Sequence, residues 1–333
     1  MRAMVLDNPS RVETSPLVER EVPDPEPGRC EIRVKVETCA VCRTDLHVIE
    51  GDLRPQKSPI IPGHQVVGVV DRQGPDAHRF AVGDRVGIAW LRWTCGKCRY
   101  CQRGQENLCP NARFTGYHEN GGYAEYAVVH QDFAYALPSA LDPVTTAPLL
   151  CAGIIGFRAL RRAEVRPGCR LGLFGFGSSA HIAIQVAQYW KCSVYVMTRN
   201  ERHQALARDL GATWVGGATA RPPEPIDSAI LFAPVGNLAL PALQALDMGG
   251  TLAIAGIYLS DIPELKYERD LFHEKTLRSV TANTREDGQE LLRVAAEIPI
   301  RPQTTIFSLK DANRALQLLK SDAIQGTGVL VLK

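Results

Sequence analysis

The feature that most constrains the fold is a change of hydrophobic period near residue 152. Beyond it, amphipathic helical stretches alternate with short apolar runs. GIIGFRALRRA (153–163) reads as a helix, RLGLFGFG as a strand and turn, SSAHIAIQVAQYW as a helix and SVYVMTR as a strand. ERHQALARDLG (helix), ATWVGG (short strand), IDSAILFA (strand), a helix over 238–250 and the strand TLAIAGI follow. Such alternation means βαβ units and a parallel sheet, for which LRSVTAN is a sixth strand. Before residue 152 the pattern is different. EIRVKVETCAV, HQVVGVVD, DRVGIAW and GYAEYAVVH read as strands separated by Pro/Gly/Asp turns, which suggests a small barrel or sandwich with long loops. The last stretch mixes helices over 286–297 and 310–320 with the strands TTIFSL and TGVLVLK. A length of 333 residues fits about two domains.

Charge and hydropathy exclude several classes. Lys+Arg 38 against Asp+Glu 36 leaves a net charge of +2, so nucleic acid and anionic membrane are not expected as main partners. The longest apolar run, around 145–160, is broken by Pro148, Gly153, Gly156 and Arg158, short of a bilayer span. MRAMVL at the start carries no signal-peptide pattern, and the expected compartment is the cytoplasm.

The ten cysteines then carry chemistry, because a long cytoplasmic chain rarely keeps disulfides. Cys95, Cys98, Cys101 and Cys109 have the spacing of a closed, four-thiolate zinc site that pins a loop. An iron–sulfur cluster or four unrelated buried cysteines are the alternatives. Cys42, His64 and Cys151 are far apart in sequence. Together they would make a Cys₂His catalytic zinc site with one open position, but singly a buried Cys or His is more often an ordinary core residue. Gly175-x-Gly177-x-x-Ala180 follows a strand and opens a helix inside the βαβ series. There it reads as a dinucleotide turn, against the alternative of an ordinary tight turn. His181, next in that helix, reads as structural.

VCRTDLH at 41–47, PGHQVVGVV at 62–70, the four-cysteine loop, Cys151 before a helix and GFGSSA at 175–180 occur in one order along the chain. In these motifs the chain resembles the zinc-dependent medium-chain alcohol dehydrogenase family, and within it the bacterial, cinnamyl-alcohol-dehydrogenase-like branch. The resemblance implies an α/β chain with a discontinuous chaperonin-10-like (GroES-like) β-barrel catalytic domain, 1–152 with 286–333, and a doubly wound Rossmann domain, 153–285. It implies Cys42, His64 and Cys151 as ligands of a catalytic zinc, with a second, structural zinc on the four cysteines. It makes Thr44 the contact for the substrate hydroxyl, His47 the outlet for its proton through the nicotinamide ribose, and Asp45 the carboxylate that orients His64. Arg43 is matched to a contact with the cofactor pyrophosphate and Trp90 to the substrate pocket wall, with Trp93 and Leu150 nearby. Cys30, Cys39, Cys169 and Cys192 match no ligand position.

The expected reaction is reversible hydride transfer between an alcohol and NAD(P)H in a homodimer or homotetramer. The rivals are a zinc-free quinone or enoyl reductase of the same superfamily and a non-catalytic, crystallin-like relative. Two departures from the family pattern stand out. Gln65 replaces the usual Glu after the ligand His, and Thr327 lies near the place where many members have a pyrophosphate-binding Arg. The strand SVYVMTRN offers Thr198 and Arg199 where NAD enzymes have Asp. A hydroxyl and a guanidinium there suit a 2′-phosphate, so NADP(H) is expected over NAD(H). The alternative is that Arg199 stacks on adenine or faces solvent and both cofactors work.

Overall fold

The ten-residue strand Glu31–Ala40 organises the first half of the chain. Ile32, Val34 and Val36 are buried, and two bulges, between Arg33 and Val34 and between Val36 and Thr38, bend the strand. Bending lets one edge serve two partners: Tyr126–His130 pairs with the Glu31–Lys35 end, and Thr327–Val331 pairs with Thr38–Ala40. The sheet runs in the order Thr304–Ser308, Thr327–Val331, Glu31–Ala40, Gln65–Gln73, Arg85–Ile88, Ala134–Ala136. Ile32, Val34, Ile49, Ile88, Leu91 and Tyr123 belong to its core.

This computed structural model describes residues 1–138, 141–324 and 326–332; Lys333 of the expected last strand lies outside them. Contacts divide the chain into two units. The first is Met1–Cys151 with Ala282–Ala296 and Arg301–Lys333; the second is Ala152–Thr281 with Glu297–Ile300.

The second unit holds six parallel strands in the order Trp214–Gly216, Ser193–Met197, Arg170–Phe174, Ile226–Leu231, Leu246–Ile254, Thr276–Ser279. Counted along the chain this is 3-2-1-4-5-6, the doubly wound Rossmann order. Successive strands run outward in both directions from Arg170–Phe174, so a topological switch falls between it and Ile226–Leu231. One expected helix is corrected. The stretch 238–250 is helical only over Ala239–Ala245, and Leu246 already pairs with Ile226 as a strand. Asp247, Gly249 and Gly250 are poor helix formers, and the Asp247 carboxylate accepts from Arg170 at 3.0 Å. No single helix among the described residues is long and apolar enough to cross a membrane.

Candidate active site

In the first unit, Cys42 ends the strand region and caps the helix Arg43–Glu50. Its sulfur accepts from the Thr44 N–H at 3.3 Å, while its own N–H donates to the Asp45 carboxylate at 2.9 Å. This reciprocal cap fixes Asp45, which is 2 % exposed. The other Asp45 oxygen holds His64 Nδ1 at 2.9 Å, and the Tyr123 hydroxyl donates to the same carboxylate at 3.1 Å. Nε2 is the ring nitrogen left over, and it is buried with no hydrogen-bond partner among the described residues. Cys151, at the end of the turn Ala147–Leu150, brings its sulfur to 3.9 Å from that of Cys42. Ligand atoms of Cys42, His64 and Cys151 lie within 4.8 Å of one another. Two thiolates bound tetrahedrally at about 2.3 Å from zinc stand about 3.8 Å apart, so the sulfur spacing fits the ion.

Electrostatics agree with the geometry. Burial lowers the His64 pKa, but Asp45 and the Cys42 sulfur outweigh it and raise it to about 10. The Cys151 thiol donates to Cys42 and, with the His64 charge, pulls the Cys42 thiol far below its ordinary value. Cys151, left with the shared proton and buried, is pushed up. The cluster therefore keeps positive charge beside Asp45 and Cys42, a place a divalent cation takes by displacing protons.

The neighbouring side chains complete this part of the unit. Trp90 meets His64 edge-on at 5.0 Å and stacks on Phe114 at 4.9 Å and on Tyr117 at 5.9 Å. Sequence reasoning missed Phe114, Tyr117, Tyr123 and Asp52, which form no motif with the ligands. Two expected neighbours are corrected. Leu150 is fully buried, with its methyl groups closing the space beside Gly87, so it is core and not pocket wall. Trp93 is 37 % exposed and lines a different cavity with Arg92, Arg113 and His130. Thr44 is half-buried, and His47 Nδ1 is paired with Asp52 at 2.8 Å. Arg43 is exposed and ion-paired with Asp322. Gln65 is fully buried, and neither atom of its amide has a partner among the described residues.

The four-cysteine loop also converges. Cys98 and Cys101 sulfurs are 3.5 Å apart, those of Cys95 and Cys109 3.6 Å, and all four lie within 4.8 Å of one another. The N–H groups of Lys97 and Cys98 point at Cys95 and lower its pKa to about 6, while burial raises Cys101 to about 11. Four sulfurs leave no open position, which suits a closed zinc site.

In the second unit, the strand Arg170–Phe174 ends at Gly175, where φ is 89° and a Cβ would press on the Ala233 backbone nitrogen at 2.8 Å. Gly177 caps the helix Ser178–Tyr189, and a Cβ there would enter open space at the helix N-terminus. A turn open in this way lets backbone N–H groups approach a pyrophosphate. Ala180 is fully buried behind it. Thr198, 4 % exposed, immediately follows the next strand, Ser193–Met197, and Arg199 beside it is exposed. His181 is buried, with Nδ1 3.4 Å from the Gly177 carbonyl.

Residues 28–139 match the family model described as an alcohol dehydrogenase GroES-like domain, and residues 180–297 the one described as a zinc-binding dehydrogenase. The Mycobacterium tuberculosis protein named "Probable alcohol dehydrogenase AdhA" is 51 % identical over 100 % of this chain and 97 % of its own. A cinnamyl alcohol dehydrogenase structure from Sorghum bicolor superposes with a TM-score of 0.88 at 27 % identity, over 99 % of this chain and 97 % of that one. A cobalt- and zinc-bound alcohol dehydrogenase from Pyrobaculum aerophilum gives a TM-score of 0.89 at 26 % identity, covering 100 % and 99 %. With both family models matching in order, and a relative this similar along its whole length, the chain belongs to the zinc-dependent medium-chain alcohol dehydrogenase family.

Proposed function

We propose that the protein catalyses the reversible oxidation of a primary or secondary alcohol to an aldehyde or ketone, with zinc held by Cys42, His64 and Cys151 and with NADP(H) as the coenzyme. The observation that carries this reading is the buried His64 Nε2, without a hydrogen-bond partner among the described residues, grouped with two sulfurs at zinc-ligand spacing. When bound, zinc supplies a Lewis acid for the alcohol or carbonyl oxygen and the nicotinamide accepts or returns the hydride. Asp45 fixes the His64 tautomer by holding Nδ1, which leaves Nε2 for the ion. Thr44 takes the proton of the substrate hydroxyl. His47 stands one turn along the same helix. Its Nδ1–H donates to Asp52, so Nε2 is free to receive that proton and release it to solvent. Trp90, stacked with Phe114 and Tyr117, offers a flat apolar wall suited to an alkyl or aryl group.

Cys95, Cys98, Cys101 and Cys109 hold the second zinc and serve stability. Gly175, Gly177 and the helix behind them receive the pyrophosphate, and Thr198 and Arg199 receive the 2′-phosphate. A zinc-free reductase would need none of the converging ligands. Met248, Ile257, Tyr258, Tyr267 and Phe272 are exposed in the second unit and support assembly into a homodimer or homotetramer. The cysteine argument supports a cytoplasmic setting.

The test is metal analysis with a turnover screen over aliphatic, allylic and aromatic alcohols. About two zinc ions per chain are expected, and Cys42→Ser should lose turnover while about one ion remains. Full turnover in a metal-depleted preparation would refute the reading.

A further inference from the structure

Cys169 and Cys192 lie outside both metal groups, yet they face each other. Each immediately precedes one of two neighbouring parallel strands, Arg170–Phe174 and Ser193–Met197, whose ladder begins with Arg170 opposite Ser193. The Ser193 N–H donates to the Cys169 carbonyl at 2.9 Å, and the Gly168 N–H to the Trp190 carbonyl at 2.9 Å, which ties the two entering turns together. The cysteine sulfurs are 3.7 Å apart. Neighbouring strands lie about 4.7–4.9 Å apart, inside the roughly 4.4–6.8 Å Cα separation that a disulfide spans. Side-chain rotation therefore closes the gap without moving the sheet.

The surroundings favour one cysteine as the attacking group. Cys169 is half-buried behind the exposed residues Arg166, Pro167 and Gly168, while Cys192 is 8 % exposed. The Cys192 thiol lies against Cys169 and, in spite of burial, lowers the pKa of Cys169. A lowered pKa and the greater exposure suit Cys169 as the attacking thiol, and the buried Cys192 as the resolving one.

We propose that Cys169 and Cys192 are a redox modification site that closes to a disulfide when it meets a small disulfide such as oxidised glutathione. The Cys169 thiolate attacks one glutathione sulfur, forming a mixed disulfide and releasing one glutathione thiolate. Cys192 gives up its proton and attacks the Cys169 sulfur, releasing the second. Two protein thiols are oxidised to one disulfide, one glutathione disulfide is reduced to two thiols, and the two protein protons end on glutathione. The closed loop contains the strand Arg170–Phe174, the glycine turn and the helix Ser178–Tyr189. The bond sits at the start of that strand, at the opposite end from the turn at Gly175. It restrains the βα unit when the chain unfolds and leaves the turn itself alone.

The experiment equilibrates the zinc-loaded protein with glutathione buffers of increasing disulfide fraction. Thiols are then trapped by alkylation, and peptides, zinc content and melting temperature are measured. A Cys169–Cys192 linked peptide is expected, with two fewer alkylated thiols, unchanged zinc and a melting temperature higher by a few degrees, all reversed by dithiothreitol. In Cys192→Ser the link and the thermal gain should vanish, and a glutathione adduct should collect on Cys169. Both thiols staying alkylatable in excess glutathione disulfide would overturn the proposal. So would a parent protein that stops at the mixed disulfide, a linked form with no thermal gain, or thiol loss traced to the zinc cysteines.

Discussion

Gln65 sits next to His64 with both amide atoms buried and without a partner among the described residues. Leaving a buried polar group unsatisfied costs about 1–3 kcal/mol, and such conflicts tend to persist where function uses them. Gln65→Met keeps the length and removes both polar atoms. The melting temperature of the variant should rise, and turnover should fall if the amide oxygen serves the metal site. A lower melting temperature would mean that Gln65 is satisfied in solution. At Arg199 the expected change is in cofactor choice. A charge-assisted hydrogen bond is worth roughly 1.5–3 kcal/mol, so Arg199→Ala should cut the NADP/NAD ratio of kcat/KM by about one to two decades. An unchanged ratio would free Arg199 of that role. At this scale the sequence was legible where spacing met a donor set, as with the four cysteines. It was silent on Tyr123 and Phe114, whose contacts with Asp45 and Trp90 arise only when distant segments meet, and on Asp52, which reaches His47 from five residues on but forms no spacing motif with it.

The loop Cys95–Cys109 is an element with little secondary structure of its own, only the short helical turns Arg99–Gln102 and Glu106–Leu108. It is anchored at Glu106, whose buried carboxylate takes Arg285 in a two-pronged pair at 2.7 and 3.0 Å. Cys98→Ala removes one ligand of a closed shell, and metal binding is coupled to folding. The variant should melt several degrees lower and bind about one zinc fewer, while the protein that stays folded keeps turning over. Lost turnover at an unchanged melting temperature would reverse the roles of the two metal groups. The six strands of the second unit and most of its helices were readable from the period of the apolar residues; the short helix Tyr267–Asp270 was not. The end of the helix at Ala245 was not, because Leu243 and Leu246 fit the helical spacing as well as the strand that Leu246 opens by pairing with Ile226. That pairing is a long-range contact, which local pattern does not encode.

For the molecule as a whole, acid sensitivity has an identifiable source in His181, which is 1 % exposed behind the glycine turn. Burial lowers its pKa to about 4, against about 6.5 in an unfolded chain. Between those values the unfolded chain binds a proton that the folded chain does not. Stability is therefore intact above about 6.5 and falls as pH drops towards 4. His181→Gln should flatten the melting temperature across that window, and a slope equal to the parent's would place the sensitivity elsewhere. The two-unit organisation also sets an order of events during synthesis. The second unit is read almost in one block and closes with Glu297–Ile300, whereas the first is resumed at Ala282 and again at Arg301. Until Thr327–Val331 leaves the ribosome, the edge of Glu31–Ala40 that it covers has unpaired backbone groups, as does the adjoining Val41, whose N–H later donates to the Gly328 carbonyl at 2.9 Å. An uncovered strand edge is a template for pairing with another nascent chain, so the time between emergence of Glu31–Ala40 and of Thr327–Val331 is an interval of exposure to aggregation. A chain truncated after residue 300 and released would hold every residue of the parallel-sheet unit beside an open barrel edge.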